Sequence, residues 1–272
     1  MCQLRSTKAS TTLVRPAPAV TLQRVSDMRD TDWYLGHFRA TADALADAIE
    51  AGPPEAPIAA CPGWDLTQLA QHVGQVHRWA AFCVREGRAP SSDEAATLGA
   101  FEADRVADWY RESASIVADT LDGIDPAAPT WHPFPVEQVA GFWPRRMAHE
   151  VTVHRRDADA AIGRETAIDP ELASDGIDEY FEAIVPRKLA SGVDLPGGSF
   201  HVHCTDVDGE WLVWSEEGAY RMIREHQKGD AALRGPAAQI LMRLWNREAP
   251  ADELSPVGDE SVLNAWTALG GN

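Results

Sequence analysis

Along residues 30–163 apolar side chains recur every three or four positions, the spacing that gathers them on one face of a helix. Leu35, Phe38, Ala42, Leu45 and Ile49 mark the first face within 32–51, and Gly52-Pro53-Pro54 stops it. A second helix is announced by Cys61-Pro62-Gly63-Trp64-Asp65. Asp65 suits an N-cap, because its carboxylate can accept from the free N–H groups of the first turn. Gln68, three residues on, completes a capping-box pattern. Leu69, Val73, Val76, Ala80 and Cys83 form the stripe of this helix, and Gly87 ends it after Glu86. A third helix is predicted over 101–121, with Val106, Trp109, Ile116 and Leu121 as apolar markers. The stretch 122–135 holds four prolines and a glycine and reads as a long loop. A fourth helix runs from 139 or 144 to 162. Four helices of about 20 residues predict an up-and-down or crossover bundle, and the long loops favour a crossover.

After Gly163 the pattern changes. Residues 169–185 still read as helix, opened by Asp169-Pro170 and closed by Pro186. Short alternating runs follow. The runs 200–205 and 211–214 flank Asp206-Val207-Asp208-Gly209, which predicts a β-hairpin, and 220–224 and 230–234 supply two further strands. Gly235-Pro236 opens a helix to about 246, and 261–269 forms the last. The expected architecture is a four-helix bundle over 28–165 followed by a smaller α+β unit over 166–272, with the boundary near 164–170.

Composition narrows the function classes. Of 272 residues, 44% are apolar and 24% charged, the balance of a water-soluble globular chain. No apolar run approaches the roughly 20 residues that cross a bilayer, so no membrane partner is expected. The 42 acids against 24 bases leave a net charge of −18, which repels phosphate backbones and speaks against nucleic acid. Cys2, Cys61, Cys83 and Cys204 are widely spaced, as reduced thiols of a cytoplasmic protein are. Residues 1–27 carry Arg5, Lys8, Arg15 and Arg24 against the single acid Asp27. They read as a disordered leader or an over-long gene start rather than a transit peptide.

The fourth helix contains the candidate chemistry. Its apolar stripe runs through Met147, Val151, Ala158 and Ile162, and Glu150 and His154, four apart, sit at the edge of that stripe. Arg145, Arg146, His149, Thr152, Arg155 and Arg156 fall mostly elsewhere, as a solvated face would. On the second helix His72 lies within the apolar stripe, and His77, five residues on, is about 140° away from His72, so the two do not share a face. Buried charge is costly unless paired or metal-bound. One divalent ion held by His72, Glu150 and His154 would satisfy all three, and two nitrogens with one carboxylate make a catalytic zinc set with an open fourth position. The competing readings are a hydrogen-bonded core histidine and a plain Glu/His pair at i, i+4. Asp157 lies one turn further on, near the same face, where it can orient His154 or simply pair with a surface base. His77 and His149 are expected mostly at the surface.

The strings Cys61-Pro-Gly-Trp-Asp65, Leu69-Ala-Gln-His-Val73 and Met147-Ala-His-Glu-Val-Thr-Val-His-Arg-Arg-Asp157 resemble the mycothiol-dependent maleylpyruvate isomerase family. Residues 200–205, Asp208-Gly-Glu-Trp211 and Leu233-Arg-Gly-Pro-Ala-Ala238 are similar to its C-terminal part. The resemblance implies a DinB-like four-helix bundle, a smaller sterol-carrier-like α+β domain, and zinc on His72, Glu150 and His154, the same three residues. It also implies mycothiol as cofactor: a thiolate that adds to an electrophilic double bond of a small molecule and then leaves, isomerising it, or stays as a conjugate. Arg247 resembles a C-terminal arginine of that family that serves the site, with Arg234 and Arg243 as alternatives. Two other readings stay open, a hydrolase using zinc-bound water and a non-enzymatic ligand-binding module. The substrate is not fixed by the fold.

Overall fold

The computed structural model describes residues 29–250 and 252–270, so the expected leader at 1–27 lies outside the described residues. Four long helices form the first part: α1 (Thr31–Ala51), α2 (Leu66–Glu86), α4 (Val106–Leu121) and α5 (Phe142–Ala161), with a short α3 (Ser92–Leu98) between the second and third. The local signals act as expected. Asp65 caps α2 through the Gln68 N–H while the Gln68 side chain returns to the Asp65 N–H, and Gly87 ends the helix at φ +66°. α1 packs along α5, and α2 along α4 and α5. Gly74 on α2 is what lets α4 approach, because a Cβ there would lie 2.2 Å from the Trp109 ring. The third long helix begins at Val106, after a 3₁₀ turn at Ala103–Arg105, rather than at 101. α3 buries none of its residues, so it carries no apolar period to read.

The second part opens with α6 (Pro170–Glu179), which does not stop at Pro186. It continues through a π turn (Tyr180–Ile184) into α7 (Val185–Ala190), the Val185 N–H reaching the Tyr180 carbonyl. Pro186 has no N–H to give a carbonyl four residues back, and the widened turn ahead of it absorbs the misfit that would otherwise end the helix. Strands β1 (Ser199–Cys204), β2 (Glu210–Glu216), β3 (Ala219–Ile223), β4 (Ala231–Gly235) and β5 (Ser255–Gly258) form one mixed sheet in the order β3-β2-β1-β4-β5. β1 pairs antiparallel with β2 through the predicted turn and parallel with β4. β5 is fully exposed and contains Pro256, so no alternation announces it, and its place at the sheet edge tolerates the missing N–H. α8 (Ala237–Leu244) and α9 (Glu260–Thr267) both pack against β1 and β4. Phe200, Val202, Trp211 and Val213 share the face that these helices cover, whereas His201, His203 and Glu210 alternate onto the other. The architecture is therefore a helical N-terminal region followed by a small mixed-sheet region, as expected.

The supposed solvated face of α5 is a correction. Arg145, Arg146, His149 and Thr152 are at most 5% exposed, and only Arg155 and Arg156 are half-buried. The cause is the acidic side of the helix from α6 through the π turn, which presents Asp175, Glu179 and Glu182. Arg145 pairs with Asp175 at 2.8 Å and Glu182 at 2.9 Å, Arg146 pairs with Glu179, and His149 meets Asp175 at 2.6 Å. A face that looks solvated in isolation is covered by opposite charge, the condition under which buried ions are tolerated.

His77 is the second correction. It faces away from His72, but that direction leads into the bundle: it is fully buried between Phe38 of α1 and Tyr110 of α4, with neither ring nitrogen hydrogen-bonded. Burial pushes its pKa down to about 3. The unfolded chain, near 6.5, takes up this proton more readily, so the contribution of His77 to stability falls as pH drops from about 6.5 towards 3. His77→Phe should therefore stabilise the protein by about 1–3 kcal/mol at pH 7, the cost of unsatisfied buried polar atoms. Its advantage should widen at pH 5, as measured by urea unfolding at both values.

Candidate metal centre

α2 and α5 bring the three expected donors together. Glu150 Oε1 lies 3.3 Å from His72 Nε2 and 3.4 Å from His154 Nε2, and one donor atom from each residue falls within 4.8 Å of the others. The two imidazoles meet nearly edge to face, with ring centres 5.2 Å apart, and Trp64 flanks His72 at 4.9 Å.

Two of the three donors, Glu150 and His154, are held from behind. Arg146 binds the second oxygen of Glu150 and, through its other arm, Glu179. His154 Nδ1 meets Asp157 Oδ2 at 3.0 Å, which fixes the ring and turns Nε2 towards Glu150. Asp157 is gripped by Arg247, whose Nη2 and Nε donate to it at 2.6 and 3.1 Å. Arg247 also donates to the Trp245 carbonyl at 2.7 Å and reaches Cys61 Sγ at 3.8 Å. α8 ends before this arginine. Asn246 takes a left-handed conformation, φ +59°, and the Arg247 N–H returns to the Met242 carbonyl while the Asn246 N–H returns to that of Arg243. This Schellman-type cap turns the chain back so that Arg247 enters the site. Arg234 is exposed on β4, and neither it nor Arg243 lines the cleft. His77 and His149 do not line it either.

The electrostatics favour a positive charge between the carboxylates. Burial opposes ionisation of Glu150, but the Arg146 guanidinium and the two imidazoles outweigh it and hold the carboxyl well below its usual range. Burial likewise opposes charge on His154, yet its hydrogen bonds to Asp157 and Glu150 lift its pKa to about 9. Either a proton or a metal ion answers that demand. The donor set of two imidazole nitrogens and one carboxylate oxygen, each with its other polar atom held by the protein or turned from the cluster, fits a divalent ion of the zinc type.

The centre opens on a cleft of about 680 Å³. Val76, Trp79, Phe134, Trp143 and Met147 make its apolar wall, and Arg187 and Lys188 of α7 stand at its rim. Arg187 is exposed and stacks 4.8 Å over the Phe134 ring, with no ion pair among the described residues. Arg146, Glu179 and Arg187 were not read as site residues from the sequence. The signal for the first two was the Arg-Arg pair of α5 facing acids spaced three or four apart on the next helix.

No curated protein matches the chain. Two family models do: the mycothiol maleylpyruvate isomerase N-terminal domain over residues 35–159 and the MDMPI C-terminal domain over 171–265. Among solved structures, a crystal structure of the mycothiol-dependent maleylpyruvate isomerase is 12% identical, covers 86% of this chain and 95% of that chain, and superposes with a TM-score of 0.59. A histidine-to-alanine mutant of that enzyme covers the same shares at 10% identity and the same TM-score. At this identity the structural likeness carries the fold alone. With the two domain models of one family matched in succession on that fold, the chain belongs to the mycothiol-dependent maleylpyruvate isomerase family, a family of enzymes.

Proposed function

We propose that this chain is a zinc- and mycothiol-dependent enzyme that isomerises a small, acidic, electrophilic substrate or transfers the thiol to it. The observation that carries the reading is the convergence of His72 Nε2, Glu150 Oε1 and His154 Nε2 at the wall of an otherwise largely apolar cleft. A zinc ion there would supply one thing, stabilisation of the mycothiol sulfur as thiolate near neutral pH. The rest is the work of the chain. Arg146 fixes the Glu150 carboxylate, and Asp157, itself fixed by Arg247, sets the tautomer and direction of the His154 ring. Half-buried Trp79 offers flat surface to a small unsaturated molecule, and buried Phe134 and Trp143 back it as part of the apolar wall that limits water near the reacting groups.

An acidic substrate needs a cation, and Arg247 is the arginine that the family resemblance places at the site. Its guanidinium is committed to Asp157, so we assign it a positioning role through His154 and give the substrate carboxylate to Arg187. Arg187→Ala should raise KM for an acidic substrate about tenfold with kcat little changed, the worth of one partly exposed charge-assisted hydrogen bond. Steady-state kinetics on an acid and its methyl ester would check this, since the ester should lose the difference.

The functional test is a screen of zinc-loaded protein against unsaturated oxo-acids, maleylpyruvate among them, with and without mycothiol. Turnover or conjugation that requires mycothiol is the expected result. Turnover that needs metal but no thiol would make the chain a zinc-water hydrolase. Ligand binding by a chain that takes up no metal would make it a binding module.

A further inference from the structure

The outer face of the sheet carries a second convergence of donors that the first centre does not use. His201 and His203 are two apart on β1 and so share that face, and Glu210 stands opposite His203 in the β1–β2 register. His226 arrives from the loop that follows β3. Glu210 Oε1 accepts from His203 Nδ1 and lies 2.8 Å from His226 Nδ1. The ring centre of His201 is 5.4 Å from that of His226 and 6.2 Å from that of His203. One donor atom from each of the four residues falls within 4.8 Å of the others.

A second, independent observation concerns His201. It is only 9% exposed although it lies on the face opposite the one that α8 and α9 cover, and its Nε2 is buried with no hydrogen-bond partner among the described residues. Buried ring nitrogens are ordinarily satisfied, and one left bare beside two imidazoles and a carboxylate fits a nitrogen awaiting a ligand bond. The loop that covers it is tied at both ends: Arg224 pairs with Asp178 at 2.9 Å, and Asp230 accepts from the N–H and hydroxyl of Ser199, both at 2.8 Å. Gly229 brings the loop down onto β1, since a Cβ there would lie 2.9 Å from the Ser199 carbonyl and 3.0 Å from the His201 N–H nitrogen. Between those ties His226 is held over the strand.

We propose that His201, His203, Glu210 and His226 form a second divalent-metal site, whose ligand is a zinc-type transition ion and whose work is to clamp the 224–230 loop to the sheet. Three imidazoles and one carboxylate select a borderline ion over calcium or magnesium, which take all-oxygen shells. Four protein donors close a tetrahedron, the arrangement of a structural site rather than a catalytic one. A bound ion would draw in the widest donor distances, which reach at most 4.8 Å, and open the 2.8 Å Glu210–His226 contact, towards the edge of about 3.3 Å set by metal–donor bonds near 2.0–2.1 Å.

The test is equilibrium dialysis of tag-free, full-length protein against zinc chloride at about 1 μM free zinc, where structural protein sites are filled. His226→Ala is the variant of choice, because its side chain is 78% exposed and its loss does not threaten folding. The variant should bind one equivalent of zinc fewer than the wild type. That difference holds whether or not the His72–Glu150–His154 centre binds metal, so the two readings fail separately. Zinc should also slow amide exchange across 224–230 at least tenfold in the wild type and not in the variant. Equal zinc content in the two proteins, or equal protection of the loop, would overturn the proposal.

Discussion

Arg146→Ala should lower the stability of the protein by about 3–5 kcal/mol, the usual cost of removing one partner from a buried ion pair. Arg146 bridges Glu150 of the candidate centre and Glu179 of α6, and all three side chains are largely or wholly buried. Truncation would leave two carboxylates in a low-dielectric interior with their counter-charge gone. Adding Glu179→Gln to the variant should recover part of the loss, because one of the orphaned charges is removed with it. Urea unfolding of the wild type, both single variants and the double variant gives the coupling directly. A loss below about 1 kcal/mol would place this pair among the weak surface bridges, against its burial.

The second large effect concerns metal affinity and follows a graded series. His154→Ala deletes a proposed ligand and should weaken zinc binding by well over about 100-fold, with thiol-dependent activity lost in proportion. Asp157→Asn keeps the shape but removes the charge that orients His154, and should weaken binding about 10–100-fold, the range for outer partners of metal ligands. Arg247→Met acts one step further out, through Asp157, and should fall between Asp157→Asn and wild type. Competition with a chromophoric zinc chelator would rank the four proteins. Equal affinity of Asp157→Asn and wild type would remove the positioning role assigned to the Arg247–Asp157–His154 chain.

What could be read in advance was local or periodic. The α2 capping box involves residues three apart, and the inward placement of His72, Glu150 and His154 follows from counting positions around two helices. What could not be read depends on partners distant in the chain. Arg145 and Arg146 look solvated on α5 alone and are buried only because Asp175, Glu179 and Glu182 face them. His77 is the exception: it lies four after Val73 and three before Ala80, so its burial against α1 and α4 could have been counted, and measuring its angle from His72 alone hid that. Arg247 reaches the site because Asn246 adopts a left-handed turn, a choice that helix propensity does not foretell. The β1 cluster lay closer to legibility: His201 and His203 are two apart on a predicted strand, and Glu210 lies just across the predicted turn. Only His226, on an irregular loop, needed the structure.

On the proposed reading, α2 and α5 aim His72, Glu150 and His154 at one bound cation. Anomalous diffraction from zinc-grown crystals, collected on both sides of the zinc absorption edge, would locate that cation. A peak within about 2.0–2.2 Å of donor atoms from all three residues is expected. Crystals with zinc elsewhere but none among these side chains, and Glu150 still engaged only by His72, His154 and Arg146, would contradict it.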